Sequence, residues 1–308
     1  MDKLCKILGE SKKTISDLLN NKDKYFITFP IPKNKGKVRY IDSPQDKLKE
    51  VQNKILYRIL YKFTAHVIAH GFVKNKSPIT NAKMHVKAAI IVKIDVRNFF
   101  NSIKKEKIAK HLTYLFNNYN NVIGGTEDEN EEAAGIIAEL ITYRGRLTQG
   151  SPTSPVISNL ICYGIDKDLL KLAKTYKCRV TRYADDITFS RSKFKDKESE
   201  LFLTGVIKIT YGILKTFDFE PNYKKTRVVK SNRRLKVTGV VVNQRTNIDK
   251  KIRRNLRAEL HNLKTSNTKI DEKKYQQLRG NIEWIRSLNP LHGEPLLQKL
   301  AEIPLLSS

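Results

Sequence analysis

Apolar residues recur along the chain with two different periods, which separates predicted helices from predicted strands. Apolar positions three and four residues apart are typical of a helix that buries one face. This spacing predicts helices over residues 11–20, 45–69, 108–116, 152–176 and 198–216. The segment after residue 249 has the same spacing and is strongly basic, so we expect it to be helical as well.

Strands are predicted where β-branched and aromatic residues form short runs. A hairpin is expected over Phe26–Ile41, whose apolar ends flank a turn rich in Pro, Lys, Asn and Gly. Ala89–Val92 predicts a buried strand that ends near Asp95. Two runs that flank Ala184-Asp185-Asp186 place this Asp pair at the tip of a further hairpin. These two runs are residues 179–183 and 187–190, and further strands are predicted at residues 227–230 and 236–242.

Two stretches interrupt this pattern. Asn120–Glu132 contains Gly124-Gly125 followed by five acidic residues, the one acidic cluster of the sequence. A run of like charges is usually solvated, so we expect a surface loop inserted at this point. The composition changes again at Asn243–Asp249, which predicts a subdomain boundary.

The charge balance narrows the class of partner. The 308 residues include 59 Lys and Arg against 31 Asp and Glu, a formal net charge of +28. Such an excess favours a polyanion, either nucleic acid or an anionic membrane. No apolar run approaches the ~18 residues of a membrane-spanning helix, and the opening Met-Asp-Lys-Leu-Cys-Lys lacks a signal-peptide stretch. We therefore expect a cytoplasmic, nucleic-acid-binding protein with no membrane partner.

Carboxylates offer the candidate chemistry. The three cysteines form no Cys-x-x-Cys pair, so reduced thiols are expected and a zinc site is not. Asp185 and Asp186 at the predicted hairpin tip would repel each other and Asp95 unless a divalent cation neutralises them. Oxygen ligands suit Mg²⁺ or Mn²⁺. In a basic protein this indicates two-metal phosphoryl transfer. The alternative is that the Asp pair merely occupies a turn, where Asp is common.

Five motifs, which follow one another along the chain in the family's order, resemble those of reverse transcriptases. Tyr183-Ala-Asp-Asp186 resembles their catalytic hairpin, and Val92–Phe100 resembles their first metal-binding motif. Gln149-Gly-Ser-Pro-Thr-Ser-Pro155 is similar to the family's Gln-Gly-x-Pro-x-Ser-Pro segment. The motif with a Lys-Thr pair and the segment after it correspond to Phe219–Thr226 and Val237–Val242. The resemblance covers about Arg39 to Pro290 and implies an α+β, right-hand polymerase fold with fingers, a palm on a small antiparallel sheet, and a helical thumb.

Two features narrow the resemblance to retron-type bacterial reverse transcriptases. Asn81-Ala-Lys-Met-His85 resembles their Asn-Ala-x-x-His element, and Val237-Thr-Gly239 resembles their Val-Thr-Gly triplet. This resemblance implies a structured non-coding RNA as template and primer, a 2′-5′ branched RNA–DNA product, and a separate effector protein in phage defence. Two alternatives stay open: a reverse transcriptase of another lineage, group II intron-like or diversity-generating, and a non-catalytic RNA-binding scaffold.

The resemblance also assigns roles to individual residues. It implies that Asp95, Asp185 and Asp186 hold two Mg²⁺ ions, with Mn²⁺ as an alternative and the Val96 carbonyl as a further ligand. The residues expected to bind the dNTP are Arg39, Phe99, Gln149, Gly150 and Lys225. Those expected to contact nucleic acid are Asn81, His85, Tyr183, Val237, Thr238 and Gly239.

Several of these residues have a structural interpretation as well. Phe99 is either a steric gate against a ribose 2′-hydroxyl or a core aromatic residue beside Phe100. The Gln149-Gly150 segment is either a pocket lining or an ordinary turn at a helix start, and Tyr183 is either a support for the primer end or a strand aromatic. Arg39 and its neighbour Lys37 are either triphosphate ligands or solvated charges. His85 is expected to hydrogen-bond within the structure and to touch RNA.

A basic stripe is predicted in the last part of the chain. Arg253, Arg254 and Arg257 recur at helical spacing on one face. Such a stripe suits the phosphates of an RNA–DNA duplex, and the alternative is a solvated basic helix. The expected domains are N-terminal helices and fingers at 1–90, the palm at 91–243 and the thumb at 244–308.

Overall fold

The chain combines many helices with a few small antiparallel sheets. The structure is a computed structural model that describes residues 1–32, 36, 38–119, 122–192 and 196–306. Its helices are α1 (Asp2–Leu8), α2 (Lys12–Asn20), α3 (Asp46–Arg58), α4 (Pro78–Lys83), α5 (Phe99–Ser102), α6 (Lys105–Asn118), α7 (Glu127–Ile141), α8 (Ser154–Ile161), α9 (Tyr163–Thr175), α10 (Asp196–Thr216), α11 (Lys250–Thr265), α12 (Glu272–Leu288) and α13 (Pro290–Ala301). Its strands are β1 (Phe26–Pro32), β2 (Val38–Pro44), β3 (Ile90–Asp95), β4 (Thr142–Tyr143), β5 (Arg146–Leu147), β6 (Arg179–Tyr183), β7 (Asp186–Arg191), β8 (Arg227–Lys230), β9 (Lys236–Val237) and β10 (Val240–Val241). The predicted α+β class is confirmed.

The central sheet has four strands in the order β6-β7-β3-β8, each antiparallel to its neighbour. β3 lies inside this sheet, and its apolar residues are almost fully buried, as its continuous apolar run predicts. Its last residue, Asp95, lies opposite Asp186, the first residue of β7. Ala184 and Asp185 join β6 to β7, so the hairpin predicted around the Asp pair is confirmed.

The predicted N-terminal hairpin is confirmed as β1 and β2, which pair from Phe26 opposite Pro44 to Pro32 opposite Val38. Arg39 lies on β2 near the turn of this hairpin and is exposed. Lys37, its predicted companion, lies outside the described residues.

The long helix predicted over residues 45–69 is wrong in its second half. α3 ends at Arg58, because Ile59 has φ −121° and ψ −62°, and a 3₁₀ turn at Leu60–Lys62 follows. Ile59 and Leu60 are both fully buried. The apolar spacing therefore continues through a bend, because the residues on both sides of it face the same core.

Two other predicted elements are divided. The helix predicted over residues 152–176 is two helices, α8 and α9, which meet at Cys162. The strand predicted over residues 236–242 is a short hairpin of β9 and β10. Thr238 and Gly239 form its turn, and both have positive φ, 46° and 83°, which is typical of a two-residue hairpin turn.

The acidic stretch is a helix start rather than a loop. Within the predicted loop Asn120–Glu132, α7 begins at Glu127, and the first two residues lie outside the described chain. Thr126 Oγ1 accepts a hydrogen bond from the Glu129 backbone, and Glu129 Oε2 accepts one from the Thr126 backbone. This is a capping box, and acids in the first turn also favour the helix dipole. Glu129 further pairs with Lys3 at 2.7 Å, which joins α7 to α1.

The buried apolar side chains form two clusters. The larger one contains residues of α3, of α6 to α9 and of the central sheet. The smaller one joins α11, α12 and α13, the predicted helical segment, to β9 and β10. This cluster also includes Leu235, Val237, Val240 and Val242, which precede residue 244, the predicted start of the thumb. The domain bounds stay a prediction. In the described ranges, no helix is both long and apolar enough to cross a membrane.

Candidate active site

The end of the central sheet brings the predicted carboxylates together. Asp95 ends β3 directly opposite Asp186 on β7. Asp185 lies in the turn beside them, and its backbone carbonyl accepts a hydrogen bond from Val96 N at 3.1 Å. Ala184, in the same turn, has a left-handed φ of 55°. The sheet register therefore places Asp95, Asp185, Asp186 and the Val96 backbone at one end of the sheet, where β3 ends and β7 begins.

Asp95 is held by residues of a second motif. Asn222 Nδ2 donates to Asp95 Oδ1 at 2.8 Å, and Lys225 Nζ donates to Asp95 Oδ2 at 2.8 Å. The Asn222 backbone N–H also donates to the Asp95 carbonyl at 2.7 Å. The hydrogen bond to Asp95 raises the pKa of Lys225. The structure thus brings Lys225 to Asp95, and its contact with a triphosphate stays a prediction.

The other two carboxylates are electrostatically unfavourable as they stand. Burial, followed by the charges of Asp186 and Asp95, raises the pKa of Asp185 to about 6. Burial also raises the pKa of Asp186, although Lys93 opposes the shift. Carboxylates with raised pKa values at one edge are typical of a functional site, and a divalent cation would remove the repulsion.

The donor chemistry of this edge fits a hard divalent cation. Asp95, Asp185 and Asp186 offer oxygen atoms alone, which Mg²⁺ and Mn²⁺ prefer. Among the described residues, no three His, Cys, Asp or Glu side chains are gathered closely enough to hold a metal. Asp95 instead turns to Asn222 and Lys225. The ligand set therefore has the right chemistry, and the metal assignment stays a prediction.

The aromatic residues beside the site divide into buried and accessible rings. Phe99 is 4% exposed, and its ring centre lies 5.3 Å from that of Phe100 and 5.8 Å from that of Phe219. Phe100 is half-buried, and its ring lies 6.2 Å from the exposed Phe72. Tyr183 is half-buried too, 6.4 Å from the same Phe72 ring. Phe99 as steric gate stays a prediction, and Phe100 is a second candidate that the sequence did not single out.

Gly150 packs against the N-terminal hairpin. A Cβ atom on Gly150 would lie 2.5 Å from the Asp42 carbonyl oxygen and 2.9 Å from Ser43 Cα. Glycine allows close backbone approach, which is why the sequence predicts Gly150 in the nucleotide pocket. In the structure, the group that Gly150 approaches closely is the backbone of β2. Gln149 is half-buried next to it, and Arg39 is exposed on the same strand β2. Of these three predicted nucleotide ligands, Gly150 contacts β2 directly, and the binding of a nucleotide by any of them stays a prediction.

His85 is buried and hydrogen-bonded within the structure, and its predicted contact with nucleic acid stays a prediction. The side chain is 0% exposed, and its Nδ1 and Nε2 lie 2.7 Å from Ser190 Oγ and 2.8 Å from Thr181 Oγ1. Burial, with the nearby charge of Arg179, lowers the pKa of His85 to about 3. His85 is therefore a neutral structural residue that ties α4's end to β6 and β7.

Asn81 and Val237 are also buried, and their predicted nucleic-acid contacts stay predictions. Asn81 Nδ2 lies 3.5 Å from Thr238 Oγ1, which itself donates to the Pro78 carbonyl at 2.9 Å. The two retron-like motifs thus contact each other and fix α4 to the β9–β10 turn. Thr238 is half-buried and Gly239 is exposed, so a nucleic-acid contact for these two stays a prediction.

The predicted arginine stripe lies on α11 and is larger than expected. Arg254 and Arg257 are exposed, and the half-buried Arg253 has an Nε atom without a hydrogen-bond partner. Burial, then the charges of Arg253, Arg245 and Arg257, lowers the pKa of His292 at the start of α13. Arg245 therefore lies near enough to act on His292 together with the arginines of α11, and the lowered pKa keeps the His292 ring neutral. The sequence could not indicate this, because they come from different elements.

Two further residues of the site escaped the sequence analysis. Asn222 holds Asp95, and its signal was its place three residues before Lys225 in the same motif. Arg182 donates to the Ala184 carbonyl at 3.1 Å. Its signal was a charged residue inside an otherwise apolar and hydroxyl-bearing strand, since a buried charge needs a specific partner.

Comparison with known proteins identifies the family. The model of the family described as reverse transcriptase (RNA-dependent DNA polymerase) matches residues 31–242. The retron Mx162 reverse transcriptase of Myxococcus xanthus is 30% identical over 304 residues, which cover 91% of this chain and 61% of that protein. The Mx65 enzyme of the same organism is 31% identical, with 90% and 64% covered. The retron Ec73 reverse transcriptase of Escherichia coli is 30% identical, with 84% and 82% covered.

The chain thus spans less than two thirds of the length of the two Myxococcus relatives. Among solved structures, a telomerase of Candida tropicalis in complex with the TWJ fragment of telomeric RNA is similar at a TM-score of 0.50 and 14% identity, with 94% of this chain and 57% of that chain covered. At this identity the likeness concerns the fold alone, and with the family match it confirms the right-hand polymerase fold. The chain therefore belongs to the reverse transcriptase family, among the retron reverse transcriptases.

Proposed function

We propose that the protein is an RNA-directed DNA polymerase that adds dNTPs to a DNA strand on an RNA template. The observation that carries this proposal is the register of the central sheet, which sets Asp95 opposite Asp186 and beside the turn that contains Asp185, in a chain of the reverse transcriptase family. A non-catalytic scaffold has no use for mutually repelling carboxylates. This favours the enzyme over the scaffold.

Two Mg²⁺ ions, or Mn²⁺, are the proposed cofactors. Reverse transcriptases as a family use divalent metal ions, and Asp95, Asp185, Asp186 and the Val96 carbonyl would hold them. When bound, the ions activate a primer hydroxyl and neutralise charge on the leaving pyrophosphate. Lys225 lies 2.8 Å from Asp95 Oδ2 and is the proposed charge partner of the triphosphate or proton donor to pyrophosphate.

The proposed nucleotide pocket lies between the N-terminal hairpin and the carboxylates. Arg39 on β2 would meet the triphosphate, and the Gln149-Gly150 turn packs against the same strand. Phe99 or Phe100 would exclude a ribose 2′-hydroxyl. The exposure of Phe100 favours it for contact with a ligand, and the stacking of Phe99 on Phe219 favours a supporting role for it.

The proposed nucleic-acid surface includes α11. Arg253, Arg254 and Arg257, extended by Arg245 and His292, would contact backbone phosphates, which fix position without reading bases. Tyr183 would pack beneath the primer end, and the Thr238-Gly239 turn would contact the template or primer. A chain with a formal net charge of +28 suits such a partner.

The retron relatives extend the proposal to one cognate RNA. We infer that a structured non-coding RNA acts as both template and primer. Synthesis would start at an internal 2′-hydroxyl of this RNA and leave a branched RNA–DNA molecule. The complex would work with a separate effector protein in phage defence. The support is the similarity to retron reverse transcriptases over 84–91% of this chain. A group II intron-like or diversity-generating enzyme is the alternative, with conventional 3′ priming.

The activity is tested by Asp185→Asn combined with Asp186→Asn. This pair keeps side-chain size and removes the metal charge partners, so we expect loss of dNTP incorporation on an RNA template, with RNA affinity kept within a few-fold. The matched control is Asp168→Asn on α9, whose carboxylate pairs with Lys171 on the surface, and we expect wild-type synthesis from it. Retained synthesis by the double variant would overturn the carboxylate assignment.

The lineage is tested by the nucleic acid that copurifies with the protein. We expect short single-stranded DNA whose electrophoretic mobility changes when RNase removes an attached RNA. DNA without a covalently attached RNA would instead favour the alternative lineage. Sequencing that nucleic acid would also identify the cognate RNA.

A further inference from the structure

A fully buried ion pair lies directly beneath the Asp185–Asp186 turn. Arg182 on β6 is 1% exposed and Asp166 on α9 is 0% exposed. Arg182 Nε donates to Asp166 Oδ1 at 2.6 Å, and its Nη2 donates to Asp166 Oδ2 at 2.7 Å. The guanidinium is therefore fixed by a two-point contact that a lysine could not reproduce.

The remaining nitrogen atoms of this guanidinium reach two more groups. Arg182 Nη2 donates to Asn159 Oδ1 at 3.1 Å, and Nη1 donates to the Ala184 carbonyl at 3.1 Å. Asn159 is 2% exposed, and its Nδ2 donates a further hydrogen bond to the Gly71 carbonyl at 2.9 Å. One buried network thus joins α8, α9 and the turn.

The backbone of Gly71 also packs against this turn. A Cβ atom on Gly71 would lie 2.8 Å from Ala184 N, so the main chain of Gly71 packs against the turn at a distance that other residues do not allow. Ala184 lies between these two contacts with φ 55°, a conformation that costs a residue with a Cβ some free energy. An unfavourable turn persists only where its surroundings determine it, and here Arg182 and Gly71 do so.

Stability alone does not account for a charged pair at this position. Buried ion pairs are often replaceable by apolar residues of similar volume without loss of stability. The carbonyl that Arg182 holds belongs to the residue immediately before Asp185. A rotation of that peptide would redirect the Asp185 backbone and hence its carboxylate.

We propose that Arg182, locked by Asp166 and Asn159, is a positioning residue that holds the Ala184 peptide and thereby aims the Asp185 carboxylate at the metal position. This inference rests on the proposed function, because the Asp185 carboxylate needs a fixed orientation only if it binds a metal ion. Arg182 touches neither substrate nor metal and acts through Asp185.

The decisive variant is Arg182→Met combined with Asp166→Leu, which removes both charges and leaves neither partner buried alone. We expect it to fold, by its melting curve and its elution as the wild-type species. Its half-saturating Mn²⁺ concentration, measured by electron paramagnetic resonance without substrates, should rise about tenfold, and kcat for dNTP incorporation should fall about 10- to 100-fold because a small misplacement at a reacting centre is costly. The KM for dNTP should change little.

A second variant and a matched control keep the test decisive. Arg182→Lys keeps the charge opposite Asp166 but lacks the fork, so it should fold and show a smaller rise in the Mn²⁺ concentration required. Arg179→Met alters an arginine on the same strand that bonds Val86 O and Ser192 Oγ away from the turn, and it should bind Mn²⁺ as wild type does.

The outcomes separate this inference from the proposed function. A folded variant at Arg182 with wild-type Mn²⁺ affinity would overturn the positioning role. Failure of both Arg182 variants to fold would overturn it too, because the network would then support the core rather than the turn. If the wild-type chain binds Mn²⁺ but incorporates no dNTP with any RNA template, the proposed function fails, while the Mn²⁺ titrations still decide the role of Arg182.

Discussion

The two ends of the central sheet treat buried polar groups in opposite ways. Towards one end, both nitrogens of His85 meet hydroxyl groups of Thr181 and Ser190, and the ring is neutral because burial lowers its pKa. At the other end, burial and the negative charge of Asp186 raise the pKa of the Asp185 carboxyl. A matched polar network stabilises a fold, whereas unmatched charge at a sheet edge marks a place for a charged ligand. Both groups come from motifs shared with one family, so motif membership alone does not separate structure from chemistry.

The largest expected difference between the two ends is in catalysis. Asp95→Asn should lower kcat for dNTP incorporation by about 10²–10³-fold or more, since charge stabilisation at the reacting atoms is lost. Its melting temperature should stay within a few degrees of wild type, because the relieved repulsion with Asp185 and Asp186 offsets the lost charge contact with Lys225. The control is Asp218→Asn, whose side chain is 85% exposed and pairs with Lys107. Near-normal kcat in Asp95→Asn would remove the contrast between the two ends.

Phe99 and Phe100 lie between the carboxylate end of the sheet and the apolar core, and their substitutions should differ in effect. Phe99→Ala should lower the free energy of unfolding by about 3–5 kcal/mol, as for other buried Phe residues, in urea denaturation. Phe100→Ala should cost less stability and should increase ribonucleotide incorporation relative to dNTP. If Phe99→Ala keeps its stability and admits ribonucleotides, the gate is Phe99, as the sequence predicted, and the ring is not a core residue.

The matched end should respond in stability alone. His85→Leu leaves the hydroxyls of Ser190 and Thr181 without their partner and should lower the free energy of unfolding by about 1–3 kcal/mol, measured in urea. The Mg²⁺ concentration required by the folded protein should not change. His261→Leu, at an exposed position of α11, is the control and should be nearly neutral. A large change in Mg²⁺ requirement for His85→Leu would show that the two ends are coupled.

The smallest expected effect is a difference in acid sensitivity. His85 has a pKa of about 3 in the fold and about 6.5 when unfolded, so its contribution to stability is present above pH 6.5. As pH falls from 6.5 towards 3, the unfolded chain takes up a proton that the folded chain refuses, and stability is lost. His85→Gln does not titrate, so its stability deficit relative to wild type should shrink between pH 7.5 and pH 5. Equal deficits at both pH values would mean that His85 is not held neutral.

The strands that contain or flank Asp95, Asp185 and Asp186 were predictable because their signals are local. The apolar run before Asp95 and the two strands around Ala184-Asp185-Asp186 contain both the element and the acid in one short segment. The capping box of Thr126 and Glu129 was equally local, and the charge run concealed it. These parts of the fold needed no knowledge of distant residues.

The remaining features depend on contacts between distant parts of the chain. His85 is buried by partners 96 and 105 residues away, and no local pattern distinguishes it from an exposed histidine. The end of α3 at Arg58 has no Gly or Pro to signal it, because the residues beyond it continue into the same core. Arg182 needs Asp166 and Asn159, which two other elements supply.

The backbone contact of Gly150 has a mechanical consequence. With less than 3 Å between a Cβ atom built on Gly150 and the Asp42 carbonyl oxygen, any side chain at this position would force β2 away from the Gln149-Gly150 turn. The separation of the β1–β2 hairpin from this turn is therefore set by the absence of a side chain at residue 150.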